Sequence, residues 1–128
     1  MITGLDHVNL RTAQLDALVA WYGQVLGLHP GPRPDFGMAG AWLYAGGQAV
    51  IHLVEDMAID GPGGERLALE HFALRASGYA AFLKLLESMD IPYRLSRVPP
   101  GPVSVVQVNI HDPDGNHIHV DFLADEVA

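Results

Sequence analysis

The chain reads as an α+β protein made of two tandem β-α-β-β-β modules, and three observations predict this. Leu5-Asp6-His7-Val8-Asn9-Leu10-Arg11 and Leu69-Glu70-His71-Phe72-Ala73-Leu74-Arg75 are one motif, L-[DE]-H-x-x-L-R, written twice at an offset of 64 positions. Each copy is followed by a stretch with helical spacing and then by alternating, strand-like runs. Each half also carries a second histidine late in its run, His52 and then His119. At 128 residues the length suits a single domain whose two halves share a core. Module 1 is expected over about 1–56, a connector over about 57–68 and module 2 over about 69–128.

The elements follow in order. Residues 3–11 alternate like a strand, with His7, Asn9 and Arg11 on one face and Val8 and Leu10 on the other. Leu15, Leu18, Val19, Tyr22, Val25 and Leu26 keep helical spacing over 14–26 and stop at Gly27, a residue suited to a left-handed cap. Pro30, Pro32 and Pro34 impose an extended or looping segment, after which Ala41–Ala45 and Gln48–Glu55 form a hairpin around Gly46-Gly47. The connector centres on Gly61-Pro62-Gly63-Gly64. The order then repeats: a strand from about Glu70, then a helix with Tyr79, Phe82, Leu83, Leu86 and Met89 on one side. A Pro92-led strand follows, and then strands Val103–Ile110 and Asn116–Leu123 around the turn Asp112-Pro113-Asp114-Gly115.

Composition narrows the function classes. A net charge of −8 and no basic cluster argue against nucleic-acid and anionic-membrane partners. No apolar run reaches membrane-spanning length and the N-terminus does not read as a signal peptide, so a cytoplasmic location is expected. With no cysteine, thiolate nucleophiles and thiolate metal sites are excluded, and His, Asp and Glu are the remaining strong ligands. G-x-S-x-G, P-loop and G-x-G-x-x-G signatures are absent. Four histidines at matched places, His7, His52, His71 and His119, therefore point to an imidazole-rich metal site between the halves, for which Zn, Ni, Fe or Mn are all admissible. A single histidine is more often a hydrogen-bonded core or surface residue, and His29 and His111, beside Pro30 and Asp112, read as loop residues of that kind.

Leu5-Asp6-His7-Val8, Trp21–Leu28 (W-Y-G-Q-V-L-G-L), Glu70–Leu74 (E-H-F-A-L) and Asp112–Asn116 (D-P-D-G-N), in this order and at these separations, cover nearly the whole chain. Together they resemble the vicinal oxygen chelate superfamily of glyoxalase I, extradiol dioxygenases, methylmalonyl-CoA epimerase and the fosfomycin- and bleomycin-resistance proteins. Gly40–Tyr44 leading into Ile51-His52-Leu53 is similar to a glyoxalase-like branch of it. The resemblance implies a cup-shaped, eight-stranded mixed sheet, half from each module, with a divalent metal inside. Carried over by position, His7 and His71 are the first-strand ligands and His52 and His119 the last-strand ones. The position of His119 is glutamate in much of the family, D-P-D-G-N-x-I-E, and here the run is D-P-D-G-N-H-I-H. That carboxylate tunes the metal and acts as a base in glyoxalase-type chemistry; a neutral imidazole already bound to metal cannot, and no catalytic base is assigned.

Four neutral imidazoles leave a +2 charge uncompensated, so the site favours a small substrate offering anionic, adjacent oxygens. Alternatively Asp121, alternating onto one strand face with His117 and His119, serves as a reserve carboxylate ligand. His117 is read as lining the cup. Arg11 and Arg75 share the face of the matched histidines, either holding an anionic substrate or pairing with acids at the rim. Trp42 and Tyr44, with Phe36, are candidate cavity walls. The expected function is a metal-dependent lyase or isomerase, with ring-cleaving dioxygenase next. The alternative is a metal-free protein of the bleomycin-resistance type that sequesters a cationic drug in an acidic, aromatic cleft. The family also implies a homodimer.

Overall fold

Alternation in the sequence becomes two four-stranded sheets in the computed structural model, which describes residues 1, 4–59, 69, 71–97 and 104–127. The chain divides into two compact units, Met1–Gly64 and Glu65–Ala128. Unit 1 contains β1 (Val8–Thr12), α1 (Leu15–Leu26), β2 (His29–Pro30), β3 (Gly40–Ala45) and β4 (Gln48–Glu55). Unit 2 contains β5 (Phe72–Arg75), α2 (Tyr79–Ser88), β6 (Arg94–Arg97), β7 (Val105–His111), β8 (His117–Leu123) and a closing turn of helix, α3 (Ala124–Val127). The sheets have the same order, β1-β4-β3-β2 and β5-β8-β7-β6, each with one parallel pair and two antiparallel pairs. No helix among the described residues is long and apolar enough to cross a membrane.

In unit 1 the apolar stripe Leu18, Tyr22 and Val25 of α1 is buried, as are Leu10, Leu43, Ile51 and Leu53 on the strands, and α1 packs over β2, β3 and β4. The helix stops where glycine allows it. Gly27 adopts φ 68°, its N–H donates to the Gly23 carbonyl and the Leu28 N–H to the Tyr22 carbonyl. With one sheet face committed to this core, the opposite face carries Asn9, His52 and Trp42 in one register row, since Asn9 pairs with His52 and His52 with Trp42.

Unit 2 repeats the logic. Val106, Val108, Ile110, Ile118, Val120 and Phe122 are buried, and Tyr79 and Phe82 of α2 meet the Phe122 ring at 5.5 and 5.7 Å. The matching row is Ala73, His119 and Asn109. First-strand positions correspond at an offset of 64 and hairpin positions at 67, as for Trp42 and Asn109, so three additional residues lie between those strands in module 2. The D-P-D-G-N run is architectural: Asp112, only 5% exposed, accepts through Oδ1 from the Asp114 and Asn116 N–H groups and through Oδ2 from Asn116 Nδ2. This pins the turn that delivers β8.

Several expectations shift. The first strand begins at Val8, leaving His7 just before it, and the later one at Arg94, since Pro92 has no N–H to give a ladder. Helix α2 ends at Ser88, so Met89 is its cap and is 36% exposed instead of facing the core with Leu86. His29 and His111 lie in β2 and β7, not in loops. The helix α3 has no counterpart in the sequence reading; its Glu126 carboxylate accepts from the Gly78 and Tyr79 N–H groups and caps α2. Residues 2–3, Asp60 to Ala68, Glu70 and 98–103, which include most of the expected connector and Val103, lie outside the described residues.

Candidate metal centre

The strand that turns one face to the helix turns its histidines to the other. In unit 1, His7 and His52 stack with ring centroids 3.7 Å apart and planes 11° apart, and Trp42 covers the other side of His52 at 4.1 Å and 11°. Phe36 continues the aromatic run 6.1 Å from Trp42, and the Arg33 guanidinium lies 4.9 Å over the Phe36 ring. His7 Nδ1 is 2.8 Å from Asp6 Oδ1. A carboxylate only accepts, so Nδ1 carries a proton and in the neutral ring the lone pair is on Nε2, the arrangement that orients an imidazole toward a metal. The Asp6 carbonyl accepts from Gln48 Nε2 at 2.9 Å, tying this lead-in to β4. Burial first, and the neighbouring His7 second, push the His52 imidazole below its ordinary value of 6.5, which favours the neutral, metal-ligating form.

In unit 2, His71 and His119 stack at 4.0 Å with planes again 11° apart. His117 joins them, its centroid 5.6 Å from His71 and 4.8 Å from His119, and His111 stacks on His117 at 4.9 Å. One ring nitrogen from each of His71, His117 and His119 lies within 4.8 Å of the others. Tetrahedral zinc with bonds of about 2.0–2.1 Å separates its ligand nitrogens by roughly 3.4 Å, so small side-chain rotations close this group around one ion. The donor set fits a borderline divalent metal such as Zn, Ni or Fe.

The other expected site residues fall as follows. Asp121 alternates onto the face of His117 and His119, in register with Arg75; burial raises its carboxyl above the usual range, partly offset by His71, and its Oδ1 is buried without a hydrogen bond. Arg11 and Arg75 are exposed and make no ion pair among the described residues; the ion pair found there is His7–Asp6. Tyr44 is not part of the Phe36–Trp42–His52 ring series among the described residues. Its ring instead closes over Gly31, where a Cβ would meet it at 2.7 Å, and its hydroxyl donates to the Pro32 carbonyl. Asn109 was not singled out by sequence reasoning, and His111 was read there as a loop residue. The signal was present, since Gln107, Asn109 and His111 interrupt the apolar run of β7 at every second position and so mark its polar face.

Comparison with known proteins identifies the family and the fold. Residues 4–120 match the family described as Glyoxalase/Bleomycin resistance protein/Dioxygenase superfamily. Glyoxylase I 4 of Arabidopsis thaliana is 31% identical over 128 residues, which span 93% of this chain and 70% of that protein. Among solved structures, a glyoxylase/bleomycin resistance protein/dioxygenase domain from Frankia superposes with a TM-score of 0.77 at 18% identity, covering 96% of this chain and 99% of that one. Lactoylglutathione lyase of Agrobacterium tumefaciens superposes with a TM-score of 0.69 at 23% identity, covering 95% of each. At these identities the structural likenesses speak for the fold alone.

Proposed function

We propose that this chain, which belongs to the glyoxalase/bleomycin resistance protein/dioxygenase superfamily, is a divalent-metal-dependent enzyme acting on a small molecule with two adjacent oxygens. A glyoxalase-like lyase or isomerase is the preferred class, supported by the likeness to Glyoxylase I 4, and ring-cleaving dioxygenase comes next. The observation that carries the reading is the recurrence of one geometry: a first-strand and a last-strand imidazole stacked at 3.7–4.0 Å and 11° in each module. Nothing in a sheet fold requires two histidines to meet this way twice, whereas a metal needs neutral imidazoles held close together.

The ligands are drawn from His7, His52, His71 and His119, with Asp121 in reserve. A bound ion supplies Lewis-acid stabilisation of negative charge developing on a substrate oxygen. The chain's own residues do the rest. Asp6 fixes the ring of His7, and burial keeps His52 unprotonated. Arg11 and Arg75, exposed and without ion pairs among the described residues, attract an anionic substrate, while Trp42 and Phe36 offer it an apolar wall. With His at 119 in place of the family's usual glutamate, substrate provides the missing negative charge.

The test is reconstitution of untagged protein with Zn, Ni, Fe or Mn, then elemental analysis and titration with a small hydroxamate as a bidentate oxygen ligand. Roughly stoichiometric metal and metal-dependent hydroxamate binding are expected. Metal below about a tenth of an equivalent would end the reading. The exposed Phe36 beside Trp42, with the net charge of −8, favours a second reading, a metal-free protein that sequesters a cationic aromatic drug. Such a drug binding to the metal-free protein, with no metal taken up, would establish it. We also propose a cytoplasmic homodimer, for which light scattering at micromolar concentration should return twice the chain mass of 13.8 kDa.

A further inference from the structure

The modules differ at the residue across the ladder from the last-strand histidine, and this difference bears on the ligand count. Across the ladder from the last-strand histidine, unit 1 places Trp42, which stacks on His52. Unit 2 places Asn109 there, 4% exposed. The orientation of the Asn109 amide is decided by its partners: Nδ2 donates to the Arg94 carbonyl at 3.0 Å and to Ser96 Oγ at 3.0 Å, and Ser96 Oγ in turn donates to Gln107 Oε1. A carbonyl cannot donate, so the nitrogen end faces Arg94 and the oxygen end is the acceptor that meets His117 Nε2 at 3.0 Å. His117 Nε2 must then carry the proton, and in the neutral ring the lone pair is on Nδ1. The same carbonyl-type oxygen on an imidazole N–H is what orients histidines in built metal sites.

We infer that His117 is a metal ligand through Nδ1, held in that tautomer by Asn109, so that module 2 alone presents three imidazoles, His71, His117 and His119, to one ion. This rests on the metal reading above and names a ligand outside the matched four. His117 fits the part on three counts. Its ring nitrogen is within 4.8 Å of those of His71 and His119. Its ring is braced by His111 stacked at 4.9 Å. It also borders an open cleft of about 350 Å³, shared with Pro92, Tyr93, Arg94, Asn109 and His111. The third imidazole also bears on the missing glutamate: module 2 offers one more neutral ligand than the matched pair, and no more charge.

The experiment is zinc affinity of the full chain, measured by competition with a chelator, for wild type, His117→Ala, Asn109→Ala and the double variant His7→Ala/His52→Ala. Imidazole ¹⁵N NMR of the wild type, with and without Zn²⁺, accompanies it. Outer partners of ligating histidines are typically worth about 10–100-fold in affinity, so Asn109→Ala should fall in that range and His117→Ala should lose more than about 100-fold. His7→Ala/His52→Ala should keep measurable zinc. In the metal-free wild type, His117 should show a protonated Nε2 and an unprotonated Nδ1, and Zn²⁺ should shift the Nδ1 resonance. A loss below about 100-fold in folded His117→Ala, or a zinc-induced shift at Nε2 instead, overturns the inference while leaving the metal reading in place. A wild type that binds no zinc and none of the other metals overturns both. Should Asn109→Ala not fold, the wild-type tautomer and shift decide alone.

Discussion

Removing the Asp112 carboxylate should unfasten the turn that sets the histidines of β8, and its cost follows from counted hydrogen bonds. Oδ1 accepts from the Asp114 N–H at 2.9 Å and the Asn116 N–H at 2.9 Å, and Oδ2 accepts from Asn116 Nδ2 at 2.8 Å. Asp112→Ala deletes all three. Each bond is worth about 1 kcal/mol net, so the sum is about 3 kcal/mol. Unfolding entropy of about 2.1 cal/mol/K per residue gives about 0.27 kcal/mol/K for a chain of this length, and the expected fall in Tm is about 11 °C. Asp112→Asn separates the terms, since its carbonyl oxygen still accepts both backbone N–H groups and only the Asn116 side-chain bond is lost. It should cost about 1–1.5 kcal/mol, or about 4–6 °C. Thermal melts followed by circular dichroism on metal-free protein, with Asn116→Ala expected to match Asp112→Asn, check the order. If Asp112→Ala melts within about 3 °C of wild type, or Asp112→Asn is as damaging as Asp112→Ala, the carboxylate does not hold the turn in the way described.

Gly40→Ala should destabilise by about 1–3 kcal/mol, because the new Cβ would collide with the Leu53 carbonyl oxygen across the β3–β4 ladder; a chemical denaturation midpoint equal to wild type would contradict this. Zinc affinity should fall by more than about one decade per pH unit below about pH 6, since protons compete with the metal at each ligating imidazole and the ordinary imidazole value is about 6.5; a slope of one proton or fewer would leave at most one histidine as ligand. In metal-free protein the Asp121 carboxyl is raised by burial, so the folded state takes up its proton before the unfolded chain does, and stability linked to this group rises as pH falls through the folded value. Asp121→Asn should therefore stabilise the metal-free protein near pH 7, with the advantage shrinking toward pH 4; equal urea midpoints for the two proteins at both pH values would remove the burial argument. The lowered His52 has the opposite sign: the unfolded chain protonates first, so wild type should lose stability on acidification through about 6.5 relative to His52→Gln, and parallel stability curves would count against it.

What was legible in the sequence is what short-range chemistry decides. The repeated L-[DE]-H-x-x-L-R motif, the stop of α1 at Gly27, the hairpin at Gly46-Gly47 and the D-P-D-G-N turn each depend on residues a few positions apart, through φ preference, side-chain acceptors and periodicity. The duplication marked His7, His52, His71 and His119 as matched positions, whereas the stacking of His7 with His52 and of His71 with His119 came from the tertiary structure. Other features depended on partners far along the chain. Alternation states which face a residue takes, not who stands across the ladder, so Trp42 beside His52 and Asn109 beside His119 became visible only with the strand register. The register shift between Leu43 and Tyr44, which leaves Val50 of β4 without a partner between Ala49 and Ile51, is likewise a property of the ladder and of no local rule. The cap that Glu126 gives α2 spans 48 positions between Gly78 and the acceptor, beyond any local rule. His111 and His117, unremarkable one at a time, became a braced pair because β7 and β8 pair antiparallel around a turn whose geometry Asp112 holds.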